Sequence, residues 1–261
     1  MTTPRREPAD AQIVLALRAA GCVFAEDEAA LLVEAGGSAV DLSARVMRRV
    51  AGEPLEVILG WAEFAGLRIA ITPGVFVPRR RSEYLVRQAV RLAARDAIVV
   101  DLCCGSGALG AAMAAAVPGI QLFASDIEPA AVRCAAVNLN GIGEVFEGDL
   151  FAALPDSLRG RVNILLVNAP YVPTGEISGM PPEARLYEPQ VALDGGPDGL
   201  DIHRRVAAEA PGWLAPTGAL LIETSRRQAA AAARIFEHAG LTARVAHSKK
   251  RAATVVIGTR S

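Results

Sequence analysis

Arg161-Val162-Asn163-Ile164-Leu165-Leu166-Val167-Asn168-Ala169-Pro170-Tyr171 is the stretch on which the fold turns. Residues 162–167 are almost wholly apolar, β-branched or leucine, which is how a strand buried on both faces of a parallel sheet reads. The run stops at Asn168. Pro170 lacks a backbone donor and fixes its own φ, and it biases Ala169 toward extended backbone, so the chain leaves the sheet at a rigid angle. Asn168 and Tyr171 are therefore expected at the carboxyl end of a central strand, the edge where ligands bind in open α/β sheets. The Asn168 side-chain carbonyl and the backbone carbonyl of Ala169 are two acceptors that can converge on one planar amino group. The plainer alternative is a turn that merely ends a strand.

Outward from this strand the pattern is regular. Strands are expected at 97–102, 120–125, 144–147, 162–168, 218–223, 241–247 and 252–259, and helices at 107–117, 129–139, about 199–213 and 226–239. Strands separated by helices imply right-handed βαβ crossovers and a mainly parallel, doubly wound α/β sheet of seven strands. Only residues 248–251 separate the last two strands, too few for a crossover helix, so these two must pair as an antiparallel hairpin. Dinucleotide-binding sheets do not usually finish so.

Before this sheet the periodicity from 10 to 50 is helical, with Ile13, Leu17 and Ala20 on one face, then Ala30, Leu31 and Val33, then Val46, Met47 and Val50. Ser38 with Asp41 forms a capping start. Residues 1 to about 8 are polar and expected to be loose. Three short helices bury little by themselves, so they are expected to lean on the rest of the chain. Residues 55–60 and 61–71 suggest a hairpin or a pair of short strands turning at Gly60 and Gly66. Ser82 is placed to cap a helix running to about 94. The organisation read from this is a helical domain at 1–52, a hairpin and linker at 53–82, and the sheet domain at 83–261. Arg79-Arg80-Arg81, between the halves, reads as a solvated turn or as a ligand or partner contact.

Among 261 residues, 27 lysines and arginines balance 28 acids, so nothing draws the whole chain to nucleic acid or to an anionic membrane; any polyanion contact is local. Cys22, Cys103, Cys104 and Cys134 have neither disulfide-framework nor metal-ligand spacing, and the start of the chain lacks an apolar signal core. Residues 102–125 carry no charge, yet Cys-Cys-Gly-Ser-Gly and Pro118-Gly119 divide them into loop, helix and strand rather than a membrane span. A reducing, cytoplasmic setting is expected.

The chemistry is expected at four strand ends. Asp101-Leu102-Cys103-Cys104-Gly105-Ser106-Gly107-Ala108 reads as strand, glycine loop, helix, in which Gly105 and Gly107 let the backbone turn and approach a ligand. Asp126, about twenty residues on at the next strand end, can accept hydrogen bonds from ribose hydroxyls. Gly105, Gly107 and Gly110 also satisfy the dinucleotide pattern, so the pair points to a nucleoside-containing cofactor without saying which. Gly148-Asp149-Leu150-Phe151 follows the third strand: Asp149 could accept from an adenine amino group while Leu150 and Phe151 pack on the ring. Together with Asn168, these make four consecutive edge features, and it is their convergence that carries weight.

At these residues the chain resembles the class I S-adenosylmethionine-dependent methyltransferases, and within them the bacterial protein-(glutamine-N5) methyltransferases of the PrmC/HemK type that modify peptide chain release factors. The likeness runs from about Gly52 to the end: Gly60 with Glu63, Phe64 and Gly66; Val77-Pro78-Arg79 with Glu83; the glycine loop; Asp126 and Asn138; Gly148-Asp149 with Phe151; Asn168-x-Pro-Tyr; Glu188-Pro189; Ala192-Leu193; Gly195-Gly196 and Asp198-Gly199-Leu200. The resemblance implies that S-adenosylmethionine lies against Cys103, Cys104, Gly105, Ser106, Gly107, Asp126, Asp149, Leu150 and Asn168. It implies that Asn168, Ala169, Pro170 and Tyr171 hold the acceptor glutamine, with Arg79 beside them. It further implies that the first helices grip a protein substrate, and that no metal takes part. His203, His238 and His247 fall outside every motif and are expected in surface or packing roles.

The chain also departs from the family pattern. Ala169 replaces the first proline of Asn-Pro-Pro-Tyr. Cys103 replaces the first glycine of the loop, tolerable if its φ stays negative. Arg80 and Arg81 stand where a proline and an acid are common, and Glu223-Thr224-Ser225 lacks an expected glycine. A paralogue of the release-factor enzyme with an altered acceptor half fits these changes. The competing readings are an N-methyltransferase for an exocyclic amino group of RNA or DNA, whose basic track would draw on Arg45, Arg48, Arg49 and Arg79–Arg81; an NAD-dependent oxidoreductase; and a binding module that has lost turnover.

Overall fold

The computed structural model describes residues 8–260, so the expected loose start at 1–7 and the final residue lie outside it. The chain begins with α1 (Pro8–Ala19), α2 (Ala25–Glu34), α3 (Ala39–Val50) and a short α4 (Leu55–Leu59). Ser38 caps α3 as its sequence predicts: its hydroxyl accepts from the Asp41 amide at 3.2 Å, and the Asp41 carboxylate accepts from the Ser38 amide at 2.8 Å. The inward faces of α2 and α3 differ from those expected. In α2, Ala25, Ala29 and Leu32 are buried while Val33 is exposed; in α3, Met47 and Val50 face solvent and Arg49 is buried. The reason is an ion pair between the helices, Arg49 Nε to Glu28 at 2.6 Å, which rotates α3 toward its charged residue.

Residues 55–60 are not a strand. Leu55, Ile58 and Leu59 take helical spacing because they complete the small core of Ile13, Leu17 and Leu32. Gly60, in the left-handed conformation (φ 78°), ends that turn. The hairpin comes next, β1 (Trp61–Phe64) against β2 (Leu67–Ala70), with Ala65 and Gly66 both at positive φ, as a two-residue reversal demands. Ser82 does not cap the next helix: it is itself helical, lies at the end of a 3-10 turn, and its hydroxyl is buried without a partner. α5 then spans Glu83–Val90, ending sooner than expected.

The rest is the seven-stranded sheet. Its elements are β3 (Ile98–Leu102), α6 (Ala108–Ala116), β4 (Gln121–Asp126), α7 (Pro129–Asn138), β5 (Gly143–Glu147), β6 (Val162–Val167), α8 (Pro182–Tyr187), α9 (Asp201–Trp213), β7 (Leu214–Thr224), α10 (Ala229–His238), β8 (Leu241–Ser248) and β9 (Ala253–Arg260). The order is β5-β4-β3-β6-β7-β9-β8, parallel except for β9, which runs antiparallel to both neighbours. β6 is the central strand, and five of its six residues are buried. Burying a leucine or isoleucine such as Leu165 or Ile164 contributes about 1.5–3 kcal/mol. The order reverses between β3 and β6, which creates a crevice at their carboxyl ends. Among the described residues no helix is long and apolar enough to cross a membrane.

Candidate active site

Register decides which residues meet. Leu102 pairs with both Val167 and Ser125, and Asp126 pairs with Glu147, so Cys103, Asp126, Gly148 and Asn168 leave four adjacent strands at nearly one level. A cavity of about 480 Å³ opens there. It is lined by Cys103, Cys104, Gly105 and Ser106, by Asp126, Asp149 and Leu150, by Asn168, Ala169, Pro170 and Tyr171, and by Arg79. Gly107 alone of the expected set is not on its wall. A Cβ there would stand 3.1 Å from the Leu139 side chain, so this glycine (φ 75°) serves the packing of α6 on α7.

The glycine loop is tied to its neighbour strand by a backbone bond from Cys104 N to Ser125 O (3.1 Å) and closed on itself by one from Gly107 N to Cys104 O (2.8 Å). Asp126 completes the tie: Oδ2 accepts from the Gly105 amide at 2.8 Å and Oδ1 from the Glu128 amide at 3.0 Å. Burial raises the Asp126 pKa, against these two bonds. Each oxygen keeps a lone pair beyond its amide bond. The condition under which Cys103 is tolerable in the loop, a negative φ, is not met: φ is 54°, the left-handed region in which a Cβ costs about 1–2 kcal/mol. Cys103 is held there by Leu102 before it, paired in the sheet, and by the bonds of the Cys104 and Gly105 amides after it.

The third strand end differs in part from expectation. Leu150 lines the cavity, but Phe151 is turned into the core, stacked on Trp213 with centroids 5.3 Å apart. Ile127, exposed beside Asp126, stands on the cavity wall in its stead. One Asp149 oxygen is held by Arg205 of α9 at 2.6 Å, a partner invisible to motif reading because it lies 56 residues away.

At the fourth strand end neither the Asn168 side chain nor the Ala169 carbonyl has a hydrogen-bond partner among the described residues, whereas the rest of the turn is bonded from every side. Gln228 Nε2 donates to the Tyr171 carbonyl at 2.9 Å. Val172 exchanges backbone bonds with Leu193 and Gly195. A Cβ on Gly195 would fall 2.8 Å from the Pro170 carbonyl oxygen, and one on Gly199 2.3 Å from that of Tyr171, so the loop after α8 needs both glycines to close on the turn. The Tyr171 hydroxyl accepts from Arg81 at 2.8 Å and donates to Glu223 Oε1 at 3.2 Å, and Arg81 Nε bonds the same oxygen at 3.1 Å. Burial and then Glu223 push the phenol pKa up to about 12. Two departures from the family pattern, Arg81 and Glu223-Thr224-Ser225, are thus partners across 142 residues.

The triple arginine is solvated in part: Arg80 is exposed, as is its partner Glu63 (3.0 Å), whereas Arg79 and Arg81 reach the buried carboxylates of Glu188 (2.5 Å) and Glu223. Asn138 also has a defined place, its amide bridging Ala70 of β2 and the Ser106 carbonyl of the loop. His203 is fully buried, with a pKa pushed down to about 4 by that burial.

The methyltransferase small domain family matches residues 67–180. The release factor glutamine methyltransferase of Geobacter sulfurreducens is 39% identical over 198 residues, which cover 75% of this chain and 69% of that protein. The 4-amino-L-phenylalanine/4-methylamino-L-phenylalanine methyltransferase of Streptomyces pristinaespiralis is 36% identical over 214 residues, 79% of this chain and 72% of that one. Among solved structures, a 16S rRNA methyltransferase of T. Thermophilus in complex with AdoMet and guanosine superposes with a TM-score of 0.56 at 18% identity, over 77% of this chain and 50% of that one. The cofactor-loop geometry, the sheet order and these identities agree: the chain belongs to the release factor glutamine methyltransferase family of class I S-adenosylmethionine-dependent enzymes.

Proposed function

We propose that the protein transfers the methyl group of S-adenosylmethionine to the side-chain amide nitrogen of a glutamine in a cytoplasmic protein, a peptide chain release factor being the first candidate. One observation carries the reading: Asn168 and Ala169, whose side-chain amide and backbone carbonyl have no partner among the described residues, line the same cavity as the glycine loop and Asp126. The cofactor suits the residues present. Gly105, at φ 55°, has open space where a side chain would project, and Asp126 has spare acceptor capacity for ribose hydroxyls. Leu150 and Ile127 offer apolar walls for a base, with Asp149 beside them. When bound, S-adenosylmethionine supplies a methyl group activated on a sulfonium.

An amide nitrogen is a poor nucleophile because its lone pair is delocalised. Two oxygens bonded to its hydrogens favour the pyramidal form and gain strength as positive charge grows on nitrogen, so they lower the barrier more than they tighten the ground state. The bonds to Tyr171 from Arg81, Glu223 and Gln228 hold those oxygens in place, and correct alignment is worth roughly 7–11 kcal/mol in favourable cases. The helices before Val50 act in this reading as the protein-gripping unit.

Ala169 and the Streptomyces pristinaespiralis relative favour one second reading, a free amino acid bearing an aromatic amine. The nucleic-acid reading keeps little of its track, since Arg48, Arg49 and Arg79 to Arg81 are ion-paired and only Arg45 of that set has no acidic partner among the described residues. Family membership and the closing β8–β9 hairpin set aside the nicotinamide reading. Tritium transfer from labelled S-adenosylmethionine to release factor, to 4-amino-L-phenylalanine and to RNA decides among them: label on a release-factor glutamine supports the proposal, and label only on the amino acid or RNA overturns it.

A further inference from the structure

A second cavity, of about 500 Å³, shares Arg81 and Tyr171 with the first. Its other walls come from the ends of β7 and β8, the turn after each and the first residues of β9, so that stretches more than twenty residues apart in sequence meet there. Three cations line it, Arg81, Arg226 and Lys249, against one carboxylate, Glu223, with the imidazole of His247 also on the wall. Arg81 and Glu223 pair at 3.1 Å through Oε1, while Glu223 Oε2 is buried without a partner among the described residues. Arg226 and Lys249 have no acidic partner among the described residues, unlike each arginine of the 79–81 run. The Thr224 hydroxyl, buried in the same wall, also lacks a partner and is a spare donor.

A concave, net positive surface concentrates anions. Two uncommitted cations beside one ion pair suit a single negative charge. We propose that this cavity binds a carboxylate carried by the methyl acceptor itself, reached past Tyr171 from the Asn168 end of the first cavity. The inference rests on reading 168–171 as the acceptor turn. The carboxylate has two sources, an acidic side chain next to the acceptor in a peptide or the α-carboxylate of a free amino acid.

The test is calorimetric binding to the full-length protein saturated with S-adenosylhomocysteine, for the wild type and the double variant Arg226→Gln with Lys249→Gln. Two probe pairs are used: the blocked tripeptide Gly-Gln-Glu against Gly-Gln-Gln, and 4-amino-L-phenylalanine against its carboxamide. The acid form of one pair should bind the wild type about five- to tenfold more tightly than its amide, as two partly screened charge contacts allow. The double variant should lose that preference while keeping its S-adenosylhomocysteine affinity and melting temperature. The pair showing the preference identifies the source.

Equal binding of acid and amide forms in both pairs, including no binding of either, overturns the site, as does a preference retained by the variant. Loss of affinity for a uridine decamer with acid preference unchanged also overturns it and makes the surface a nucleic-acid contact. Methyl transfer to the release factor is read separately. Carboxylate preference without transfer to a release-factor glutamine refutes the proposed function and leaves the site, whereas that transfer without preference refutes only the site.

Discussion

Replacing Asp126 by asparagine tests the cofactor half of the site at the level of single bonds. The carboxylate takes the Gly105 amide at 2.8 Å and the Glu128 amide at 3.0 Å. Asparagine preserves shape but turns one oxygen into a donor, which must confront one of those amides. It also loses the charge that strengthens any bond to a ribose hydroxyl. A hydrogen bond to a charged group contributes about 1.5–3 kcal/mol, so the affinity for S-adenosylhomocysteine should fall about 10- to 150-fold at about 1.4 kcal/mol per factor of ten. The stranded amide costs about 1–3 kcal/mol of stability, offset in part because the buried carboxylate, whose pKa burial raises, is gone. Calorimetric titration gives the first quantity and thermal unfolding the second. Protonation should mimic the substitution, so wild-type affinity should decline as pH is lowered through the raised pKa of Asp126. A folded Asp126→Asn protein that binds within a factor of about two of wild type would refute the reasoning.

Four other residues give independent tests. Burial pushes the Asp101 carboxyl up to about 8 against its one bond from Gly110. Between its ordinary value of 3.8 and about 8 the folded state holds a proton that the unfolded chain has released, so stability falls as pH rises through that window. Urea midpoints at about pH 5 and about pH 8 should differ less in Asp101→Asn than in wild type, and equal pH slopes count against this account. Cys103→Gly should relieve the left-handed strain and raise stability by up to about 1 kcal/mol, or about 2–4 °C in melting temperature; a lower melting temperature rejects it. Gly199→Ala places a Cβ on the Tyr171 carbonyl. It should cut kcat about tenfold or more with S-adenosylhomocysteine affinity unchanged, and normal turnover refutes the turn's role. The Ala169 amide has no partner among the described residues. Ala169→Pro should therefore leave stability within about 1 kcal/mol of wild type, as denaturant titration will show.

Much of the site was legible because its signals are local. Asn168 and Pro170 close a strand, Gly105 marks a tight loop, and Asp126 ends the next strand; each is a short-range statement about backbone and period. What was misread depended on distant contacts. Phe151 looks like a base-stacking residue until Trp213 offers it a closer aromatic face. Leu55 to Leu59 reads as a strand until α1 and α2 present a core that only helical spacing fills. Cys103 is tolerable in the loop only at negative φ, and the bonds of Cys104 and Gly105 hold it at 54° instead.

By itself the sequence determined the alternation of strands and helices, the antiparallel finish and the positions of four strand ends that line one cavity, since periodicity and turn chemistry depend on neighbours a few residues away. Only the tertiary structure decided that Arg81, Tyr171 and Glu223 form one hydrogen-bonded unit, that Arg205 takes an oxygen of Asp149, and that Arg226 and Lys249 face a common cavity. Ion pairs and shared cavities form where the chain returns after tens of residues, and no local pattern encodes which cation will meet which acid.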